Sequence, residues 1–437
     1  MVDATITDGN STGVHLNQQQ SFAHHNNAQG SHSTASSLQC LLVFLGHDGQ
    51  EEALRLAGSL TDVEWRELAA VAKRTGLAQV LHHRVQILSL PLPAYVKDKL
   101  AQTFYWTAAR NLRFSTEISS LVRLLARASI PVLLLKGAYL GEHVYANIGL
   151  RSMADVDLLV PRDAIPSAIQ IAQQAGFMPD RQFFADADGV LHYHAPPMTK
   201  NGLIVELHWG LTRESNLPEI NLDDLWARAH RIEVNGVEAW SLSPEDLLLH
   251  LAVHASYGHR LFHQLRSLYD MEVVLQKFGT SLDWRVFLVV CRQWQAERGV
   301  HLALQLLKDL FATPVPEDVL TALKPSDYTE DVKKAALASL VQETPVLSEN
   351  FVRLMRSPRL ADKLSGLWNG LFPRREIIAM EFDISPHSWR VWKSYPVHVA
   401  RSISKYWRYA WHLVLGNRDQ VGGSDARMAL NEYLRVG

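Results

Sequence analysis

The tightest constraint on the fold lies between positions 130 and 161. Two apolar runs of strand length, 132–135 and 156–160, enclose a stretch that can hold only a turn or two of helix, 138–146. Short aliphatic runs bounded by Pro131, Gly137 and Pro161 read as buried strands. Two carboxylates, Asp155 and Asp157, stand at the entrance to the second run. Side chains two apart on a strand share a face, so the pair presents two negative charges together. Burying them beside Leu158, Leu159 and Val160 costs several kcal/mol unless a partner or cation sits between them, and oxygen ligands at this spacing suit Mg²⁺. A lone Asp-x-Asp more often has one carboxylate ending the strand and the other in solvent. Here the neighbouring motifs argue for the cation.

The segment 202–210 is a third strand, with Glu206 and His208 on one face and Val205 and Leu207 on the other. If the last two strands lie side by side, Asp155, Asp157 and Glu206 form an acidic trio able to hold two Mg²⁺ ions for in-line attack on phosphorus. Lys136-Gly137 stands between a strand and a helix. There the glycine admits a phosphate close to the backbone, the helix start offers N–H groups, and the lysine offers a point charge. Arg151 precedes Asp155 by four positions and is placed to meet a triphosphate or to neutralise the acids. His208 shares the face of Glu206 and can orient that carboxylate as a hydrogen-bond donor; a half-buried structural histidine is the plainer alternative. The order of strand, Lys-Gly, helix, Arg, Asp-x-Asp strand, helix and acidic strand points to nucleotidyl transfer.

Lys136-Gly137, Tyr145, the run from Arg151 through Asp155 and Asp157 to Val160, Val205 to Trp209 and the helical run 242–254 also resemble a little-characterised bacterial nucleotidyltransferase family of the DNA polymerase beta superfamily. The resemblance spans about 121–311. It implies an α+β fold: a small mixed β-sheet nucleotidyltransferase core flanked by helices, with added N- and C-terminal helical regions. It further implies an NTP donor, ATP among the candidates, with two Mg²⁺ ions and transfer of NMP to an acceptor hydroxyl or phosphate as pyrophosphate leaves. Asp155 and Asp157 would then bind both metals, Glu206 the metal that activates the acceptor, and Lys136 the β or γ phosphate. The chain departs from the usual superfamily pattern in two ways. Lys-Gly replaces Gly-Ser with the acidic pair 18 positions on, and the third acid is Glu rather than Asp.

The acceptor is left open among a small molecule, a glycan precursor, RNA and protein. The competing reading is a non-catalytic nucleotide-binding or scaffold protein tied to surface-polysaccharide assembly.

At 437 residues, 47% of them hydrophobic, the chain has material for two or three domains. The expected division is a disordered polar tail at 1–37, an N-terminal helical region at 38–129, the core at 130–241, a helical domain at 242–324 and a basic aromatic helical region at 325–437. A net charge of -2 excludes a global field for nucleic acid or membrane. Cys40 and Cys291 lack the number and spacing for zinc or a disulfide scaffold. No run reaches the length of a transmembrane helix, and no signal peptide is evident. The expectation is a cytoplasmic protein whose C-terminal region could touch the inner face of a membrane.

Helical signals are clear elsewhere. Thr61 and Glu64 have capping-box spacing, with Trp65, Leu68, Ala69 and Ala72 on one face of the helix they start. The stretch 96–128 carries Leu100, Phe104, Ala108 and Leu112 at helical spacing. Ser243-Pro244 starts a third helix. His250 and His254 lie one turn apart there, with His259 and His263 beyond, but Leu251 occupies the place a zinc motif gives to glutamate. Packing, or contact of His254 with the nucleotide, is the expected role. Between Arg353 and Arg418, twelve Lys or Arg oppose four Asp or Glu among many aromatics. That composition fits a helical hairpin with an aromatic core, or a membrane-surface or single-stranded nucleic-acid contact.

Overall fold

The computed structural model describes residues 29–46, 49–179, 193–212, 217–218, 220–341, single positions between 368 and 378, 388–401 and 429–435. The described part of the expected C-terminal region is therefore fragmentary, and residues 180–192 and 402–428 lie outside the description. Chain contacts divide into two units, residues 1–108 with 149–151 and residues 109–148 with 152–437.

The first unit is helical: α1 (Gln29–Leu45), α2 (Gln50–Ser59), α3 (Asp62–Arg74), α4 (Ala78–Leu88) and the start of α5 (Ala94–Arg127). The capping box forms as its spacing implies, with Thr61 Oγ1 accepting from the Glu64 backbone and the Glu64 carboxylate accepting from Thr61 N–H at 2.8 Å. The buried face of α3 carries Trp65, which stacks on Phe44 with ring centroids 5.5 Å apart.

Along α5 the sequence pattern misplaces the buried face. Leu100 is buried, but Leu112 is 64% exposed, while Asn111, Phe114, Ser115 and Ile118 are buried. Residues four apart advance about 400° around a helix, so a ladder of fours drifts roughly 120° off its starting face over twelve residues.

The second unit is built on a seven-stranded mixed sheet: β1 (Leu133–Leu134), β2 (Asp155–Leu159), β3 (Met178–Pro179), β4 (Met198–Lys200), β5 (Leu203–His208), β6 (His230–Val234) and β7 (Val237–Ser241), in spatial order β3-β4-β5-β2-β1-β7-β6. β2 pairs parallel with β5 on one side and antiparallel with β1 on the other. Val156, Leu158, Val205 and Leu207 are buried on one face. Thus the period-2 pattern that hides these residues also sends Asp157 and Glu206 to the opposite face.

α6 (Lys136–Tyr139) follows β1 and widens into a π-turn at Leu140–Val144. After β2 the chain forms a 3₁₀ turn and α7 (Ile165–Gln174), closed by Gly176 at φ 90°. α8 (Leu222–Arg228) lies between β5 and β6. α9 (Pro244–Val253) is apolar nearly all round and buried from Asp246 to Val253, as a helix without a polar face must be. Its start is capped by Ser243 and fixed by a two-pronged Arg228–Asp246 pair at 2.8 and 2.9 Å. A second π-turn, His254–Gly258, ends it. Then follow α10 (Leu265–Phe278), α11 (Trp284–Gln293), α12 (Glu297–Phe311), α13 (Glu317–Leu323) and α14 (Glu330–Val341).

No helix among the described residues is long and apolar enough to cross a membrane. Cys40 and Cys291 are both free and buried. In the C-terminal segment Trp368, Trp389 and Trp392 are more than 60% exposed. A hairpin with its aromatics turned inward does not describe these three; Ile378, Val391 and Tyr395 supply the small apolar cluster there.

Candidate active site

Asp157 and Glu206 are direct register partners on the parallel pair β2–β5, and His208 follows Glu206 by two residues on the same face. The strand pairing therefore brings together groups 49 to 51 positions apart in sequence. One ligand atom from each of Asp157, Glu206 and His208 lies within 4.8 Å of the others. His208 Nε2 donates to Asp157 Oδ1 at 2.9 Å and lies 3.3 Å from Glu206 Oε2. Both neighbours are carboxylate oxygens, which accept only, so the proton sits on Nε2. Lys136 Nζ approaches the other oxygen of Asp157, Oδ2, at 3.4 Å.

Burial makes these contacts strong. Asp157 is 3% exposed. Burial alone would raise its pKa, but the Lys136 ammonium and the His208 hydrogen bond hold the carboxyl well below the ordinary range. Burial pulls His208 down, and the hydrogen bonds to Asp157 and Glu206 outweigh it, so the imidazole sits above its usual value. The acid is thus an anion clamped between two donors.

Lys136 adopts φ 40°, the left-handed region, whereas Gly137 is an ordinary buried helical residue. The left-handed residue at this strand-to-helix junction is therefore the lysine and not the glycine. A non-glycine residue there stores about 1 kcal/mol or more of strain, which the surrounding packing must offset. The reward is a lysine aimed at Asp157.

Asp155 lies two residues ahead on the same face of β2 and is exposed, outside the group of three. Arg151 is buried in the turn at 149–151, which belongs to the first unit.

Histidines from the end of α9 border the acids. His254 Nε2 lies 3.1 Å from His259 Nε2, and His250 stands one turn earlier with a ring-centroid distance of 6.2 Å to His254. Burial, reinforced by the Lys136 charge, pushes His250 down to about 3 and His254 well below its usual range. These rings are neutral. His250 is 1% exposed and neither of its ring nitrogens has a hydrogen-bond partner. The sequence leaves open whether these histidines pack or whether His254 meets the nucleotide, because nothing in a helix pattern reports which strand the helix covers.

The donor set fits a divalent cation. Cis ligands bound at about 2.1 Å around an octahedral ion are separated by roughly 3.0 Å, and the two Nε2–oxygen distances, 2.9 and 3.3 Å, bracket that edge.

A mixed sheet carrying facing acids on neighbouring parallel strands, with a lysine at the exit of the adjacent strand, defines a candidate phosphoryl- or nucleotidyl-transfer centre. A family described as uncharacterised nucleotidyltransferases matches residues 61–312, and the chain belongs to that family. Comparison with curated proteins and with solved structures finds no match.

Proposed function

We propose that the chain is a divalent-cation-dependent nucleotidyltransferase of the DNA polymerase beta type, moving NMP from an NTP to an acceptor and releasing pyrophosphate. The observation that carries this reading is the meeting of Asp157, Glu206 and His208 at one point beside Lys136, in a chain of a nucleotidyltransferase family. Asp157 and Glu206 hold the cation. When bound, the cation neutralises the triphosphate and lowers the pKa of the attacking group. Asp155, two residues ahead on the same face of β2, supplies a further carboxylate for a second ion. Mg²⁺ is the expected ion.

The acceptor oxygen bonds to the α-phosphorus, the bond from that phosphorus to the bridging oxygen breaks, and pyrophosphate departs. Glu206 takes the acceptor proton. Lys136 releases Asp157 Oδ2 and meets the β or γ phosphate, a role suited to a point charge on a flexible stem. Buried, fixed groups of this kind stabilise developing charge without having to reorient.

The acceptor is a hydroxyl or phosphate of a small molecule, glycan precursor, RNA or protein. The exposed Trp389 and Trp392 beside Arg390 and Lys393 support peripheral contact with an anionic membrane surface. Incubation with each labelled NTP and Mg²⁺ or Mn²⁺, following pyrophosphate release and self-labelling, tests the reading. Release that requires metal and is lost in Asp157→Asn supports it. Metal-dependent NTP binding without release favours the scaffold reading instead.

A further inference from the structure

Three features of His208 go beyond what orienting a carboxylate requires. Its ring is 1% exposed and sits between the two acids rather than behind one of them. Its Nε2 stands at cis-ligand spacing from an oxygen of each. Its Nδ1 is buried with no hydrogen-bond partner, so all of the ring's polar contacts are concentrated on the atom aimed at the acids. Leaving a buried ring nitrogen unpartnered is unfavourable.

The position His208 fills is also the one an all-oxygen site needs. Asp155, the remaining carboxylate on this face, is exposed and outside the group of three. The inner set is therefore two carboxylates and one imidazole. Carboxylate and water ligands suit Mg²⁺, whereas an imidazole shifts preference toward transition-series ions.

Resting on the nucleotidyltransferase reading above, we infer that His208 binds the catalytic cation directly through Nε2, completing with Asp157 and Glu206 a site that prefers Mn²⁺ to Mg²⁺. The Nε2 lone pair forms the bond to the ion, the imidazolium gives up its Nε2 proton to water, and the ring binds as a neutral imidazole that keeps its one remaining proton on Nδ1.

The test is Mn²⁺ binding to the full chain, read by loss of the free-ion electron paramagnetic resonance signal, with pulsed detection of ¹⁴N coupling to the bound ion. The wild type is expected to bind Mn²⁺ with imidazole ¹⁴N coupling and at least about tenfold more tightly than Mg²⁺. His208→Asn should retain weaker binding without that coupling, and His208→Asp should bind without coupling and with its preference moved toward Mg²⁺. Unchanged melting temperatures establish that both variants are folded; if His208→Asn fails to fold, His208→Asp and the wild-type spectrum decide. Bound Mn²⁺ without ¹⁴N coupling in the wild type, or coupling that persists in either variant, overturns the inference. Pyrophosphate release from the same samples separates the two claims. Release without coupling removes only the ligand role of His208, whereas absence of metal-dependent release in the wild type removes the function itself.

Discussion

His208 Nε2 lies 2.9 Å from Asp157 Oδ1 although the two are not register partners: Asp157 faces Glu206, and His208 faces Leu159. The contact is diagonal, across two parallel strands, and it ties the acid on β2 to the strand carrying the other acid. Lys136 completes the arrangement from the end of β1. The two strands that flank β2 thus each bring one polar group to its buried carboxylate.

That arrangement makes Asp157 the most sensitive position. Asp157→Asn keeps the shape, removes the charge, and is expected to reduce metal-dependent pyrophosphate release about 100-fold or more, since a bound cation contributes several kcal/mol to such steps. Equal turnover in wild type and variant would show that the chemistry lies elsewhere.

Lys136 should act on the triphosphate rather than on the metal. Lys136→Met preserves the packing of the stem and is expected to weaken NTP binding by roughly tenfold, the worth of one charge-assisted contact, while Mn²⁺ affinity is not reduced, because the competing ammonium is gone from Asp157. Titration with a non-hydrolysable NTP analogue in the presence of metal checks this. An unchanged affinity would remove the lysine from the phosphate site.

Much of this site could be read along the chain. Val156, Leu158, Val205 and Leu207 alternate with the polar residues, so the period-2 pattern announced which side chains share a face. Thr61 and Ser243 announced helix starts because a cap is a local device. Non-local geometry was not legible. The left-handed backbone at Lys136 beside a glycine better suited to it, the second contact from His208 to Asp157, and the approach of α9 to the acids all depend on how distant elements pack. Leu112 shows a subtler failure, in which a four-residue repeat looks helical yet precesses off the buried face.

Two glycines should respond to alanine with opposite signs. A Cβ on Gly299 would collide with Ser256 Oγ and a ring carbon of Tyr257, whereas nothing lies within 4 Å of one on Gly58. Gly58→Ala is expected to stabilise α2 by about 0.5–1 kcal/mol. Gly299→Ala should destabilise, as overpacking of about 1–3 kcal/mol exceeds the helical gain. Denaturant midpoints of the two variants check both signs, and a stabilised Gly299→Ala would refute the close contact.

Stability should fall in mild acid. His301 is 2% exposed, packs edge-on to Tyr328 at 4.5 Å, and is pushed by burial down to about 4. Unfolded, it titrates near pH ~6.5. Between those values the unfolded chain binds a proton that the folded chain does not, so stability is lost as pH falls from about 6.5 toward 4. Melting temperatures across this window should drop less steeply in His301→Gln than in the wild type. Identical slopes would exclude the histidine as a source.

Trp389 and Trp392, with Lys393 stacked 4.3 Å from the centre of the Trp389 ring, offer an exposed aromatic and basic face. Full-length protein should sediment with anionic vesicles at low salt and less at high salt. Replacing both tryptophans by alanine should abolish most of that binding. Salt-independent sedimentation, or none from the wild type, would refute the membrane contact.

Incubation of wild type, Asp157→Asn and Glu206→Gln with α-labelled NTPs and a divalent cation tests the site and its function together. Metal-dependent release of pyrophosphate and labelled NMP product by the wild type, lost in both folded variants, is the expected result. Equal release by all three, or NTP turnover by the wild type that survives chelation, would contradict it.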